Sequence, residues 1–304
     1  MNLHALTTPS GHLVIAAFDH RSSLAAFLNP QDPQAVPATC LVAVKRLFIE
    51  SFSGLVSAML IDPIYGLDYG LDLDKEVPAG TGLLFAMEAS SYTDTDQSQP
   101  TQLLPHWGVA DIKARHAAAK LLLYYHPHAP AAPVQFDLVK QISRQCRRLK
   151  VIFLLEPILH GLGQFSQKDK LSLTLKMIDQ FCPLVDILKL EFPLNLPQSS
   201  QPEWVKASQA ISRHATVPWV LLSRGMAYSH FKLLTQVACT HGASGIAVGR
   251  AVWQEIGDLA TRSPSDQESL AAIKTFLQTT GRTRLKALAA LVVAHAKPVT
   301  AFHP

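Results

Sequence analysis

Short apolar runs alternate along the chain with longer segments of helical periodicity. The apolar runs lie at residues 12–20, 54–63, 80–89, 117–125, 151–157, 185–193, 218–225 and 243–250. Segments with apolar residues at helical spacing lie between and after them, as at 39–53, 134–150, 166–182, 201–215 and 230–242. Eight strands alternating with helices predict an α/β protein with a single (β/α)8 barrel over residues 1–304. The chain from about residue 255 to 304 is expected to form a C-terminal helical extension.

The run at 185–193, VDILKLEFP, carries a lysine among aliphatic residues. Because side chains alternate along a strand, Lys189 shares a face with Ile187 and Glu191 and would project into the barrel interior. Desolvation there lowers the pKa of a lysine, and a neutral amine in a dry pocket is what Schiff-base formation with a ketone needs. A buried structural Lys–Glu pair, or a lysine that snorkels from a strand end, fits this stretch equally well.

Polar and ionisable residues collect where the predicted strands end. In barrels of this kind, functional residues lie at the carboxyl ends of the strands. These ends hold Asp19 and Arg21, Asp62, Glu88, Tyr124, Glu156, Lys189 and Glu191, Ser223, and Gly249 with Arg250. A sequence shaped by stability alone would show no such bias, so we expect a functional site at this rim that includes Lys189.

Two further ionisable residues are expected near Lys189. Lys120 lies inside the fourth strand, where a second ammonium would lower the pKa of the nucleophilic lysine by like-charge repulsion. It could equally be a snorkelling lysine that balances Glu88 or Glu156. Glu156 ends the fifth strand, beside the sixth, and its carboxyl could shuttle protons to a bound substrate. The structural alternative for Glu156 is a salt bridge to Lys120.

Small residues end the seventh and eighth strands. Ser223–Arg224–Gly225 follows the seventh, and Gly249–Arg250 follows the eighth. Small side chains let backbone N–H groups approach an anion, and these two loops form the usual phosphate site of such barrels. We therefore expect a phosphate there.

Composition and charge exclude several classes of protein. Hydrophobic residues make up 48% of the chain and charged residues 16%, which is typical of a globular fold. The net charge of +4 is mild, and the basic residues at 144–150 close a predicted helix, so we expect no nucleic-acid partner. No basic-then-apolar leader and no run long enough to span a membrane are visible, which predicts a cytoplasmic protein without a membrane partner.

Metal-ligand spacing is also missing from the sequence. The four cysteines lie far apart, at positions 40, 146, 182 and 239, and we expect buried thiols in a reducing compartment. His126 and His128 have no third ligand nearby at suitable spacing. We therefore expect neither a metal nor another cofactor.

Several motifs together resemble those of one family. The chain is similar over about residues 12–255 to the class I tagatose 1,6-bisphosphate aldolases, through FDHR, IDPIYGL, GLLFAME, AAAKLLLYY, FLLEP, ILKLEFP, PWVLLSRG and GIAVGRAVW. The last third also resembles the related sulfofructose-phosphate aldolases. The sequence departs from the family pattern at His20, which replaces an amide, at Arg224, which replaces a small residue, and at Ala89–Ser90, where a common lysine is missing.

The resemblance implies residue roles and an activity. Lys189 would be the Schiff-base lysine, Lys120 the neighbour that lowers its pKa, and Glu156 the proton-transfer residue. The expected substrate-binding residues are Asp19, Arg21, Asp62, Glu88, Glu191, Ser223, Arg224, Gly225, Gly249 and Arg250, with Asp19 on the substrate hydroxyls and Ser223, Gly225, Gly249 and Arg250 on a phosphate.

The expected reaction is cleavage of a ketohexose bisphosphate, such as tagatose 1,6-bisphosphate, to dihydroxyacetone phosphate and glyceraldehyde 3-phosphate. The expected partner is therefore a small sugar phosphate, and we also expect a homo-oligomer. Two alternatives stay open at this point. One is an aldolase for 6-deoxy-6-sulfofructose 1-phosphate, and the other is a regulatory protein that senses sugar phosphates.

Overall fold

Eight parallel strands pair in chain order and close into a barrel in the computed structural model, which describes residues 2–90, 100–162, 165–260 and 266–302. The strands are β1 Leu13–Phe18, β2 Ala58–Ile61, β3 Gly82–Ala86, β4 Ala118–Tyr125, β5 Phe153–Leu159, β6 Ile187–Leu190, β7 Trp219–Leu222 and β8 Gly245–Val248. The last strand pairs with the first, Leu13 lying opposite Gly245. Each strand lies within or overlaps the apolar run that predicted it, and the (β/α)8 fold is confirmed.

Helices connect the strands and surround the barrel. They are α1 Ser22–Leu28, α2 Ala38–Phe52, α3 Leu73–Glu76, α4 Val109–Ala114, α5 Ala132–Leu149, α6 Gln167–Phe181, α7 Gln201–His214, α8 Tyr228–Thr240, α9 Arg250–Trp253, α10 Ile256–Leu259, α11 Gln267–Phe276 and α12 Arg282–His295. Short 3-10 helices lie at Leu3–Leu6, Pro33–Ala35, Cys182–Leu184, Leu196–Gln198 and Val299–Phe302. None of the helices in the described ranges is long and apolar enough to cross a membrane.

Alternation along the strands divides the core into two parts. One face of each strand packs against the helices, as Leu188 and Leu190 of β6 do. The other face fills the barrel with small and aliphatic side chains, among them Ala118, Leu154 and Ile187. Two residues further along the same strands, the inward positions are Lys120, Glu156 and Lys189. The ionisable side chains thus form the layer above the apolar filling, at the carboxyl end of the barrel.

The amino end of the barrel is closed by apolar side chains. Leu6 from the first 3-10 helix and Val299 from the last one are buried in the interior cluster. The first helix also lies so close to β3 that a Cβ on Gly82 would fall 2.4 Å from the Ala5 carbonyl oxygen. Access to the barrel interior is therefore from the carboxyl rim.

The C-terminal segment is helical where it is described. Within the expected extension, α11 packs against α2, and α12 packs against α8 and α2. Residues 261–265 and 303–304 of that extension lie outside the described residues.

Candidate active site

A cavity of about 350 Å³ opens at the carboxyl ends of the strands. Its lining includes most of the site residues expected from sequence: Asp19, Arg21, Glu88, Lys120, Glu156, Lys189, Ser223, Arg224, Gly249 and Arg250. The exceptions are Asp62, Glu191 and Gly225. The rim therefore brings together side chains from residues more than 200 positions apart in the chain.

Lys189 and Lys120 share one carboxylate oxygen. Lys189 Nζ donates to Glu156 Oε2 over 2.8 Å, and Lys120 Nζ lies 3.1 Å from the same oxygen. All three side chains are buried. The amine that could attack a carbonyl thus lies beside a carboxylate that could accept a proton and beside a second cation.

Lys120 is surrounded by carboxylates. Its Nζ donates to Asp19 Oδ2 over 2.7 Å and to Glu88 Oε1 over 2.5 Å, besides its contact with Glu156. Burial alone would lower the pKa of Lys120, but the three carboxylates outweigh it and raise the pKa well above its ordinary value. Lys120 is therefore a fixed positive charge, and the ion pairs considered for it from sequence, with Glu88 and Glu156, are both present.

The two lysines keep the surrounding carboxyl groups ionised. Burial raises the pKa of Asp19 and of Glu156, but the positive charges of Lys120 and Lys189 outweigh burial. The net effect lowers the pKa of both carboxyl groups below their ordinary values. Glu156 is thus a carboxylate at neutral pH and can act as a base.

Arg250 and Gly249 form one end of the cavity, and Gly225 packs against the Arg250 guanidinium from outside the cavity lining. Arg250 lies directly after Gly249, and its guanidinium packs on Gly225, where an added Cβ would be 3.4 Å from Arg250 Cζ. Gly225 has a φ of +73°, which favours glycine. The guanidinium of Arg250 also lies 6.0 Å from the centre of the Phe27 ring. This end offers a positive charge beside backbone that an anion can approach closely.

Arg21 supplies a buried guanidinium to the cavity. Its Nη2 donates to the Glu88 carbonyl oxygen over 2.5 Å, and the residue is 6% exposed. Within the described part of the chain, Arg21 Nε and Nη1 are buried without a hydrogen-bond partner. Buried N–H donors of a guanidinium are seldom left unpaired, so these two are suited to an anionic ligand.

Asp62 does not line the cavity, contrary to the expectation from its place after β2. Its Oδ2 lies 2.7 Å from Lys45 Nζ, and its Oδ1 accepts from the backbone N–H of Tyr65 over 2.9 Å. Lys45 also donates to the carbonyl oxygens of Phe18, over 2.5 Å, and His20, over 2.8 Å. The Lys45–Asp62 pair therefore anchors the backbone after β1, and Asp62 supports the site without lining the cavity.

Glu191 and Gly225 line a second cavity instead, beside the first. β6 ends at Leu190, so strand alternation no longer sets the direction of the next side chain. The Glu191 carboxylate pairs with the Arg224 guanidinium and lies 3.5 Å from Lys170 Nζ. Ser223 and Arg224 border both cavities. Arg224 is half exposed, with a φ of +44°.

Two further residues line the main cavity, one that the sequence reasoning did not place at the rim and one that it placed there without a role. They are His20, between two expected site residues, and Tyr124, two positions beyond Leu122 on the inward face of β4. The position of His20 directly after Asp19 could have placed it at the site from the sequence alone. Among the residues that the structure describes, no group of three or more His, Cys, Asp or Glu side chains could hold a metal ion.

A (β/α)8 barrel with buried lysines, carboxylates and an arginine at its carboxyl rim is the architecture of an enzyme. Residues 13–255 match the model of the DeoC/LacD family aldolases, and the chain belongs to this family. It is therefore an aldolase, a lyase that acts on a carbon–carbon bond.

Curated relatives cover nearly the whole chain. A tagatose 1,6-diphosphate aldolase of Listeria monocytogenes serotype 4a is 26% identical over 97% of this chain and 92% of its own. A protein of the same name from Lactococcus lactis subsp. lactis is 25% identical over 98% and 96%. A tagatose 1,6-diphosphate aldolase 1 of Streptococcus pyogenes serotype M3 is 29% identical over 80% and 81%.

Solved structures share the fold at low sequence identity. An archaeal fructose 1,6-bisphosphate aldolase superposes with a TM-score of 0.65 at 15% identity, covering 96% of this chain and 100% of its own. An archaeal fructose-1,6-bisphosphate aldolase with its catalytic lysine bound to the carbinolamine intermediate gives 0.63 at 16%, with the same coverage.

Proposed function

We propose that this chain is a class I aldolase that cleaves a ketohexose 1,6-bisphosphate, such as tagatose 1,6-bisphosphate, through a Schiff base on Lys189. The products are dihydroxyacetone phosphate and glyceraldehyde 3-phosphate. The observation that carries the proposal is the 2.8 Å contact between Lys189 Nζ and Glu156 Oε2 inside the rim cavity. The names of the curated relatives support the choice of substrate.

The proposed reaction begins with imine formation. Lys189 releases a proton to solvent, and its neutral amine attacks the C2 carbonyl of the substrate. A proton taken back from solvent lets the carbonyl oxygen leave as water, and a protonated imine remains. Glu156 takes the proton of the C4 hydroxyl while the C3–C4 bond breaks, and the electron pair of that bond moves into the imine to give an enamine. The aldehyde leaves, Glu156 gives the proton it has taken to C3 of the enamine, and water releases dihydroxyacetone phosphate from Lys189. Lys120 keeps Asp19 ionised and favours the carboxylate form of Glu156 between its proton transfers.

We assign the C1 phosphate to the end of the cavity formed by Ser223, Gly249 and Arg250. Lys189 must reach C2, next to C1, and it stands on β6, beside the β7 strand that Ser223 follows. We assign the C6 anion to Arg21. Arg21 Nε and Nη1 have no hydrogen-bond partner among the described residues, which supports that choice over Arg224, which is half exposed and already paired with Glu191.

The assignment of the C6 anion to Arg21 is compatible with one alternative substrate. A sulfonate on C6 would find the same unpartnered guanidinium donors as a phosphate. 6-Deoxy-6-sulfofructose 1-phosphate is therefore the second candidate, and steady-state assays on both substrates decide between them. A sugar-phosphate sensor without turnover would bind both substrates and cleave neither.

The arginine assignment is tested by substrate selectivity. Arg250→Ala should lower kcat/KM for every ketose 1-phosphate alike. The loss of transition-state stabilisation should be about 2–5 kcal/mol for a desolvated charge pair with the phosphate. Arg21→Ala should impair fructose 1,6-bisphosphate much more than fructose 1-phosphate, because the monophosphate lacks the C6 anion. Arg224→Ala is the matched control and should affect the two substrates equally. Equal losses in all three variants on both substrates would refute the assignment.

We also propose that the protein acts in the cytoplasm. All four cysteines are buried, and Cys146, Cys182 and Cys239 are free thiols, which are typical of a reducing compartment. Detection of a tagged full-length chain in the soluble cell fraction, with its thiols reduced, is the expected result. Recovery from the cell exterior or the membrane fraction would contradict it.

A further inference from the structure

His20 has a fixed position at the wall of the cavity. It follows Asp19 directly after β1, and its backbone carbonyl is held by Lys45 Nζ at 2.8 Å. The imidazole packs edge-on against Trp253, with ring centres 5.1 Å apart. An added Cβ on Gly249 would lie 3.1 Å from His20 Cε1. The ring thus lies against the Gly249–Arg250 corner, and there is little room for it to move toward that corner.

The imidazole has hydrogen-bonding capacity that the described residues do not use. His20 Nδ1 is buried and has no hydrogen-bond partner among them. Asp19 Oδ1 lies 3.9 Å away, beyond hydrogen-bond distance. A buried polar atom without a partner calls for a ligand that completes it.

Burial, together with three nearby cations, keeps His20 neutral. Burial is the largest cause that lowers the pKa of His20, to about 3. The Asp19 carboxylate acts in the opposite direction, while Arg250, Lys189 and Lys45 lower the pKa further. At neutral pH the ring therefore offers one N–H donor and one bare nitrogen acceptor, the pair of groups that suits a hydroxyl.

We propose that His20 is a substrate-positioning residue that hydrogen-bonds, as a neutral imidazole, to the dihydroxyacetone phosphate half of the substrate. Its place carries this choice of half. One neighbour, Asp19, pairs with Lys120 next to the Glu156 carboxylate, and the other neighbour is the Gly249–Arg250 corner assigned to the C1 phosphate. The inference rests on the proposed aldolase function and extends it to a residue with no assigned role.

Binding of the two product halves separates this role from a structural one. Trapping with borohydride at increasing dihydroxyacetone phosphate gives the half-saturating concentration for imine formation. In His20→Phe, which keeps an aromatic ring against Trp253 and removes both nitrogens, this concentration should rise about 10-fold. The half-saturating glyceraldehyde 3-phosphate concentration in the condensation direction should stay unchanged. His20→Gln, which restores a neutral donor and acceptor, should recover most of the loss.

The matched control is His12→Phe. His12 is also a buried histidine, and it precedes the same strand at its amino end, away from the cavity. This variant should leave both half-saturating concentrations unchanged. Wild type and His20→Gln should also show the same pH profile between pH 5 and 8, because neither side chain changes its charge there.

Each other outcome has a definite meaning. Wild-type protein that forms no imine would refute the proposed function. Wild-type protein that forms it, together with His20→Phe that keeps the wild-type half-saturation, would refute the role of His20 alone. Equal weakening of both halves in His20→Phe, with no recovery in His20→Gln, would also refute it. An acid limb near pH 6.5 that is present in wild type and lost in His20→Gln would contradict the neutral imidazole.

Discussion

Glu156 lies at the centre of the charge arrangement, because one of its oxygens meets both lysines. Glu156→Gln keeps the shape of the side chain and removes the base. We expect this variant to form the imine with dihydroxyacetone phosphate but to cleave a ketose bisphosphate more slowly, by on the order of 100-fold or more. Single-turnover cleavage and borohydride trapping measure the two steps separately. If trapping falls as much as cleavage, Glu156 serves imine formation or structure instead.

Strand alternation predicted the inward residues and failed beyond the strand ends. Lys120, Glu156 and Lys189 stand two positions past apolar interior residues, so their direction follows from the period of two. Asp62 and Glu191 come after the last paired residue, where contacts made by the loop decide the direction. A partner from another element, such as Lys45 on α2 or Arg224 after β7, cannot be read from the local sequence.

Lys45 nonetheless left a signal in the sequence. Leu41, Lys45 and Phe48 fall at helical spacing on one buried face of α2. A lysine on such a face needs a buried acid, and the acid is Asp62 at the end of the adjoining strand. That combination indicates a supporting ion pair, whereas the position of Asp62 alone indicated substrate contact.

At the scale of the elements, the closure of the barrel depends on Gly245. This residue begins β8 with a φ of +147°, and an added Cβ would lie 1.8 Å from the Leu13 carbonyl oxygen. Gly245→Ala must therefore push β8 away from β1 or strain the backbone. We expect it to lower the free energy of unfolding by about 2–4 kcal/mol in urea titrations.

Gly54→Ala is the control for the cost of placing alanine at a positive φ without a steric clash. Gly54 has a φ of +75° but no atom within 4 Å of an added Cβ, so its loss should be about 1 kcal/mol. If the two variants are equally destabilised, the contact with β1 is not what requires glycine at Gly245.

The elements themselves could be predicted better than their bounds. The apolar run at 54–63 is longer than β2, because only Ala58–Ile61 pairs with both neighbouring strands, β1 and β3. β5 runs past the expected end at Pro157 to Leu159, and Pro157 lies opposite Leu123 of β4. Apolar character reports burial, which extends beyond the hydrogen-bonded ladder at β2, whereas β5 continues as a fully buried strand past its proline.

At the scale of the whole molecule, the rim cluster links stability to pH. The folded state lowers the pKa of Asp19 and Glu156, so each contributes stability that is present above its ordinary pKa and is lost as the pH falls. Lys120→Met removes the cation that these carboxylates share. It should cost about 3–5 kcal/mol at pH 7 and clearly less at pH 3, where protonation of the carboxyl groups relieves the unpaired charge.

Urea unfolding at the two pH values checks this expectation. Lys75→Met is the control, because Lys75 is exposed and pairs with Asp72 in the same turn, so the substitution should be nearly neutral at both pH values. An equal cost of Lys120→Met at pH 7 and pH 3 would mean that packing, and not charge, explains its effect.

The fold of the whole chain could be predicted from the order of its apolar and helical segments. The contacts between side chains in the cavity could not. Eight alternations of strand and helix leave few topologies, and the closed barrel is one of them. The meeting of Asp19 with Lys120, 101 positions apart, depends on the barrel diameter and on the strand register. Those quantities are set by the packing of all eight strands together.

The account depends above all on Lys189 as the nucleophile. The most direct measurement is reduction with borohydride in the presence of dihydroxyacetone phosphate, followed by mass spectrometry of the peptides. We predict one adduct, on Lys189, that is absent without the ligand, and loss of both adduct and cleavage in Lys189→Arg. An adduct on Lys120, or full cleavage activity in Lys189→Arg, would contradict the account.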